Sequence, residues 1–375
     1  MSKDTAYLVL ENGKMYKGKY FGDKTAVNIM GELVFSTLMT GYLETLTEKS
    51  YYGQIVMQTF PLIGNYGIIT EDFEGETVEA KGYIVKSWCE EPSNFRSEGN
   101  LDAFLKQKNI TGLCGIDTRA VTKELREQGV MNAMITNNID NIENIDFEAI
   151  KNYKIKNAIA SVSCKEIAEL KGENSKYKVV LYDYGAQESL KRELLKRGCD
   201  VYVVPHNTTA EQIKQIKQIN SDGIDGIVLS NGPSDPADSD NIEIVNNLKE
   251  IIKLNVSIMG IGVGHQLLAL ANGFKTKKLK HGHRGSNHPV KNLQTGTVYI
   301  TNQNHGYTVE PESIKSDKAR VIYENVNDKS CEGIEYNNKC FSVEFYPESH
   351  GGGGDTAFIF DKFIENTENI ERGNK

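Results

Sequence analysis

Val256-Ser257-Ile258-Met259-Gly260-Ile261-Gly262-Val263-Gly264-His265-Gln266-Leu267-Leu268-Ala269-Leu270-Ala271 is the stretch on which the reading of this chain turns. Val256 to Ile261 is a short apolar run with the length of a buried strand, and a helix follows from about Gly264 to Asn272. The turn between them is built of small residues, with Gly262 at its crest. Two chemistries share this look. A dinucleotide-binding turn wants glycine where His265 stands and an acidic residue about 20 positions further on. Lys275 to Arg284 offers none. A nucleophile elbow (strand, sharp turn, helix) lifts one side chain above a sheet, where backbone N–H groups can serve an oxyanion. The elbow fits, yet Gly262 has no side chain to lift.

Working outward, strands alternate with helices from Tyr177 onward. Lys178 to Tyr182 reads as a strand and Gln187 to Arg197 as a helix with Leu190, Leu194 and Leu195 inward. Val201 to Val204 is the next strand, and Thr208 with Glu211 forms a capping-box signature before the helix carrying Ile213 and Ile216. Gly226 to Leu229 and Ile242 to Ile252 repeat the pair. This rhythm predicts an α/β fold with an open, mostly parallel sheet and helices on both faces. Val298 to Ile300, Arg320 to Tyr323, Gly333 to Tyr336 and Phe341 to Phe345 add strands, and Asp355 to Glu365 a closing helix. Ligands of such sheets bind beyond the carboxyl ends of the strands. Ser230 to Pro236, Gly260 to Gln266 and Tyr346-Pro347-Glu348 all arrive there.

Residues 1–150 read as a β-rich α/β domain, 151–176 as a polar connector and 177–370 as the second domain. In the first, Asn12-Gly13 between Tyr7–Leu10 and Met15-Tyr16 predicts a hairpin with a type I′ turn. Leu33 to Phe35 and Gln54 to Met57 are strands, and Val121 to Glu127 a helix. Asp117 and Arg119 are expected as a buried ion pair, with a partner contact as the alternative. The 375 residues, 39% hydrophobic, suffice for two cores. A formal charge of −8 argues against a whole-chain nucleic-acid binder or a protein held on anionic lipid; the run Lys275, Lys277, Lys278, Lys280 is too short to alter that. No apolar stretch approaches the roughly 18–20 residues of a membrane helix, and Met1 to Tyr7 lacks a signal-peptide start, so a cytoplasmic location is expected. The six cysteines show no CxxC spacing and read as reduced thiols. His281, His283 and His288 have no carboxylate or cysteine at ligand spacing, so no metal site is expected.

Across both domains the motifs carry a family resemblance. Thr40-Gly41-Tyr42, Ser50-Tyr51, Pro61-Leu62-Ile63-Gly64-Asn65-Tyr66-Gly67, Ser93-Asn94-Phe95-Arg96 and Gly115-Ile116-Asp117-Thr118-Arg119 carry it in the first domain. Leu229 to Pro236, Gly264 to Ala271, Asn287 to Lys291 and Gln303 to Tyr307 carry it in the second. From about Tyr7 to Ile364 the chain resembles the small subunit of glutamine-dependent carbamoyl-phosphate synthetase, and its C-terminal motifs are shared with other class I glutamine amidotransferases. The resemblance implies a Cys-His-Glu glutaminase that forms a glutamyl thioester. Ammonia then passes to a large synthetase subunit, which makes carbamoyl phosphate for pyrimidine and arginine biosynthesis. It further implies a heterodimer whose ATP and Mg sit on the large subunit, with no cofactor or metal in this chain.

Carried over residue by residue, the resemblance puts the nucleophile at Gly262, the general base at Tyr346 and the orienting carboxylate at Glu348, the only triad member retained. Ser234 replaces a glycine, Glu344 a glutamine, and Leu38 and Leu43 a small residue and a glutamine. Among glutamine contacts, Ser50, Gly232, Gln266, Asn304 and Gly306 match, while Val263 and Tyr307 are near-equivalents. A phenol of pKa about 10 is a poor base at neutral pH. Cys340 reads as core and His350 as a surface residue of a Gly-rich loop, so neither replaces what is missing. The expectation is a small subunit with glutamine hydrolysis lost, in an ammonia-dependent or structural role. Two alternatives stay open: a glutaminase rescued by another group, and a sensor that binds glutamine without turnover.

Overall fold

The hairpin at Asn12-Gly13 forms between β1 (Thr5–Leu10) and β2 (Met15–Gly22). Its turn differs from the expected one. Gly13 N–H donates to Leu10 O and Leu10 N–H to Lys14 O, both at 2.9 Å, and the positive φ of the loop is at Gly13 (+86°) alone. This is a type I turn closed by a glycine bulge, in which Asn12 needs no left-handed backbone. The computed structural model describes residues 4–26, 28–137, 145–216, 223–337, 340–348 and 354–373. It divides into two units, Met1–Lys156 and Asn157–Lys375.

In the first unit, β1 and β2 join β3 (Ile29–Ser36), β4 (Gln54–Gln58), β6 (Gly82–Ile84), β8 (Thr111–Cys114) and β9 (Met131–Thr136) in a closed barrel of order β1-β2-β8-β6-β4-β3-β9. The short β5 (Leu62–Ile63) and β7 (Ser87–Trp88) pair beside it. Alternation along β3 sends Leu33 and Phe35 to one core with Leu8, Ile55 and Leu113, and Val34 to another with Tyr42, Val56 and Leu105. The second core lies under α1 (Tyr42–Thr47) and α2 (Leu101–Gln107). The motifs around Gly41 and Gly64 prove to be one packed feature. Tyr66 Oη accepts the Gly41 and Tyr42 N–H groups at 2.9 and 3.2 Å, and the Tyr42 and Tyr66 rings stack at 4.2 Å. Asp117 and Arg119 are both exposed, contrary to the buried pair expected: Asp117 caps α3 (Thr118–Gln128), accepting the Ala120 N–H at 3.0 Å.

The stretch read as a connector has structure of its own. It starts within α4 (Phe147–Lys151) and carries α5 (Ala158–Val162) and β10 (Ala168–Leu170). Ala158, Ile159 and Val162 are the apolar residues that this polar segment buries.

The second unit is built on β11 (Tyr177–Asp183), β12 (Cys199–Pro205), β13 (Gly226–Leu229), β14 (Ser257–Ile261) and β19 (Phe341–Val343), parallel in the order β12-β11-β13-β14-β19. Beyond β19 the sheet continues antiparallel through β18 (Cys331–Tyr336), β17 (Ala319–Asn325), β15 (Thr276–Asn292) and β16 (Val298–Val309), and β10 closes the other edge. Val179 and Leu181 face α6 (Glu188–Lys196) and α10 (Phe358–Gly373). Val180 and Tyr182 face α7 (Ala210–Lys214), α8 (Ile242–Ile251) and α9 (Val263–Ala271). Strands buried on both faces make the near-continuous apolar runs of this half. The capping box of α7 falls one residue later than expected, on Thr209 and Gln212, because Thr208 is buried with its N–H on Pro205 O. Histidines 281, 283 and 288 lie on β15, and His283 is buried. Among the described residues, no helix is long and apolar enough to cross a membrane.

The elbow depends on glycine where it closes. A Cβ on Gly264 would stand 2.3 Å from Leu229 O, and one on Gly232 1.9 Å from Tyr184 O. Gly264→Ala is therefore expected to destabilise the second unit by about 3 kcal/mol, read as a lower urea midpoint of its unfolding transition. An unchanged midpoint would contradict this packing.

Candidate functional site

The parallel strands bring Asp183, Ser230, Gly262 and Glu344 to one edge of the sheet, and the residues singled out in the second unit collect there. Gly262 has φ +55° and ψ −119°, a conformation that L side chains rarely adopt, held where β14 runs into α9. Its N–H donates to Val343 O at 3.0 Å, and Gly264 N–H to Ser230 O at 3.1 Å, which pins the turn to both neighbouring strands. The backbone thus has the strained form of an elbow and carries no reacting atom.

Tyr346 fills the space in front of it. The ring is buried, its hydroxyl donates to Asn304 O at 3.1 Å, and its N–H donates to Asn302 O at 2.9 Å. A Cβ at position 262 would stand 3.2 Å from Tyr346 Cε1 and 3.3 Å from Asn231 Cβ. A side chain on the elbow would have to push this ring aside. Glu348, the retained carboxylate, is buried two residues further on.

Gln266, on the first turn of α9, donates from Nε2 to Tyr307 O at 2.9 Å and to Glu344 Oε1 at 2.8 Å. Both amide hydrogens are thereby engaged within the protein. Glu344 is completely buried, and desolvation, reinforced by Glu332, drives its carboxyl well above the usual carboxylate range. Its Oε1 accepts from Gln266, as the oxygen of a glutamine amide could, while Oε2 has no hydrogen-bond partner among the described residues. His265 lies 3.7 Å from Glu344 Oε2 and is hydrogen-bonded through Nδ1 to Ser342 Oγ at 2.7 Å; burial lowers its pKa to about 3, so it is neutral.

Gly232, Val263, Gln266, Asn304, Gly306 and Tyr307 all belong to the second unit, whereas Ser50 is buried in the Lys49–Tyr51 turn of the first. Ser234, where the resemblance has glycine, sits at φ +122°, with Asn241 Nδ2 donating to its hydroxyl at 2.8 Å. Cys340 is no substitute nucleophile. It precedes the Phe341–Met259 pair, so it lies about four strand residues, or about 13 Å, from the elbow. Burial pushes its thiol up to about 12. His350 lies outside the described residues.

The chain's spacing hid one further cluster. His283 on β15 is paired directly with His305 on β16, and β18 brings Glu332 to them. One ligand atom of each lies within 4.8 Å of the others, and all three residues are buried. Carboxylate partners expected to be absent from sequence spacing are supplied by the sheet. Sequence separations of more than twenty residues between the members left no local signal.

Comparison with known proteins adds the relationship. The family model described as carbamoyl-phosphate synthase small chain, CPSase domain, matches residues 8–135, and that of class-I glutamine amidotransferase matches residues 180–366. The chain is 47% identical over 363 residues to the carbamoyl phosphate synthase small chain of Fusobacterium nucleatum, covering 96% of this chain and 98% of that one. It is 45% identical over 366 residues to the carbamoyl phosphate synthase pyrimidine-specific small chain of Bacillus subtilis, covering 97% and 96%. Among solved structures, a glutamine amidotransferase from Thermotoga maritima matches with a TM-score of 0.37 at 15% identity, over 53% of this chain and 85% of that one.

Glu344 generates a pH dependence of defined sign. Its raised folded-state pKa means that the folded state holds a proton that the unfolded state releases above the ordinary value of about 4.5. Its contribution is complete below that value and is lost as pH rises toward the folded value. Glu344→Gln keeps the shape and needs no proton. Urea unfolding at a series of pH values should show the variant gaining stability over the native chain from about pH 5 to 8. Parallel curves would contradict a protonated Glu344.

Proposed function

The chain belongs to the carbamoyl phosphate synthase small-chain family, and from that premise we propose a small subunit that docks on a large synthetase chain and does not hydrolyse glutamine. The observation that carries the reading is the empty crest at Gly262. Amide hydrolysis of this type needs a nucleophile, a base within hydrogen-bond reach and a group that orients the base. Here the first is missing and the second position holds a phenol whose proton is committed to Asn304 O. Loss of the nucleophile alone in a well-studied hydrolase costs on the order of 10⁶ in kcat, and such losses do not add.

What the site retains, besides Glu348, Gln266 and Asn304, is backbone. The elbow turn, the Ser230–Ser234 turn and the Asn304–Gly306 strand keep their places around Tyr346, so the domain keeps its shape without its chemistry. Engagement of both Gln266 amide hydrogens by Tyr307 and Glu344 weighs against a retained glutamine pocket. The packed Gly41–Tyr66 motif of the first unit supports a family-specific role that outlasts catalysis, and docking on the synthetase is the role proposed.

The test is carbamoyl phosphate formation by this chain with its large synthetase partner, supplied with glutamine or with ammonium. Ammonium should support synthesis, and glutamine should give at most about a thousandth of that rate. Comparable rates would overturn the proposal. In the same assay, Gly262→Cys alone should stay inactive with glutamine, while Gly262→Cys with Tyr346→His should raise the glutamine-supported rate at least about tenfold.

A further inference from the structure

In the cluster at His283, His305 and Glu332, two acceptor atoms face each other. His305 Nδ1 lies 2.7 Å from Tyr307 O, and a carbonyl can only accept, so this nitrogen carries the ring proton. Nε2 of a neutral His305 is then a lone pair, and it lies 3.0 Å from Gln303 Oε1, itself an acceptor. Gln303 is oriented by its amide nitrogen, which donates to Glu332 Oε2 at 2.8 Å and Thr301 Oγ1 at 3.0 Å. Turning that amide over only moves the conflict to Glu332 Oε2.

The other nitrogens are arranged as in a metal site. His283 Nε2 faces Asp328 Oδ2 at 2.9 Å, and His305 Nδ1 faces a backbone carbonyl. Such outer partners fix the tautomer of a metal-ligating histidine and aim the remaining lone pair. His283 Nδ1, His305 Nε2 and a Glu332 oxygen are then directed inward, with Gln303 Oε1 2.9 Å from His283 Nδ1. His283 Nδ1 is 3.5 Å from Glu332 Oε1, close to the about 3.3 Å between two ligands of a tetrahedral zinc ion.

We infer that His283, His305 and Glu332, joined by Gln303 Oε1, bind a divalent transition-metal ion of the zinc class. The ion supplies the positive charge that the facing acceptors of His305 and Gln303 lack. Two imidazoles with carboxylate and carbonyl oxygens suit zinc or cobalt better than calcium or magnesium. Bound there, it would tie β15, β16 and β18 together and fix His305 between Asn304 and Gly306.

The experiment uses the full-length chain without an affinity tag, stripped by a chelator and titrated with Zn²⁺ and with Co²⁺. One ion per chain, a four-coordinate Co²⁺ absorption spectrum and a zinc-dependent rise in the unfolding midpoint are expected. Glu332→Gln should abolish stoichiometric binding. Asp328→Asn, at a half-exposed position where folding is not at risk, should weaken it about tenfold or more. Absence of binding at micromolar Zn²⁺ would overturn the inference. So would binding that both variants leave unchanged, since the ion would then sit elsewhere on the surface.

Discussion

A strand and a helix meet here across a turn at φ +55°, and the turn closes only because nothing projects from Gly264 toward Leu229 O. That contact sets where α9 begins, and with it the positions of Val263, His265 and Gln266. The hydrogen bonds from Gly262 to Val343 O and from Gly264 to Ser230 O bind the turn to the strands on either side. The architecture of a nucleophile elbow is therefore upheld by backbone packing alone. It needs no side chain at its crest, and its strained conformation is one that glycine tolerates best.

The departures from the family pattern belong together in space. Tyr346 packs where a side chain at 262 would stand, and its hydroxyl reaches the strand carrying Asn304. Glu344, in the same segment, holds Gln266 as a neutral acid in place of an amide. A glycine at the crest and a large ring over it are complementary in volume. The result is a crest covered by the Tyr346 ring, with Gln266 held by Glu344 and Tyr307. That arrangement supports the proposed small subunit without glutamine hydrolysis.

Much of the fold was legible because each signal was local. The apolar run Leu33 to Phe35 gave one strand of the first unit, the strand–helix rhythm from Tyr177 gave the parallel sheet of the second, and the small residues around Gly262 gave the elbow. The misplacements were local as well. The Asn12-Gly13 dipeptide fits two hairpin turns, and only the backbone angles separate them. Thr208 and Thr209 are both capping residues, and burial of the first decides between them. What lay beyond reach was long-range. The hydrogen bonds of Glu344 depend on α9 and β18, and the histidine cluster depends on the register of β15 with β16, which no spacing along the chain encodes. Asp117 looked like half of an ion pair because its capping role depends on where α3 starts.

The proposed loss of glutamine hydrolysis requires that this chain form no covalent bond to glutamine. An electrophilic glutamine analogue bearing a diazoketone, incubated with the intact chain and read by mass spectrometry of the whole protein, tests that directly. The native mass alone should be recovered. A stoichiometric adduct that excess glutamine suppresses, on any residue at the carboxyl edge of the sheet, would contradict it.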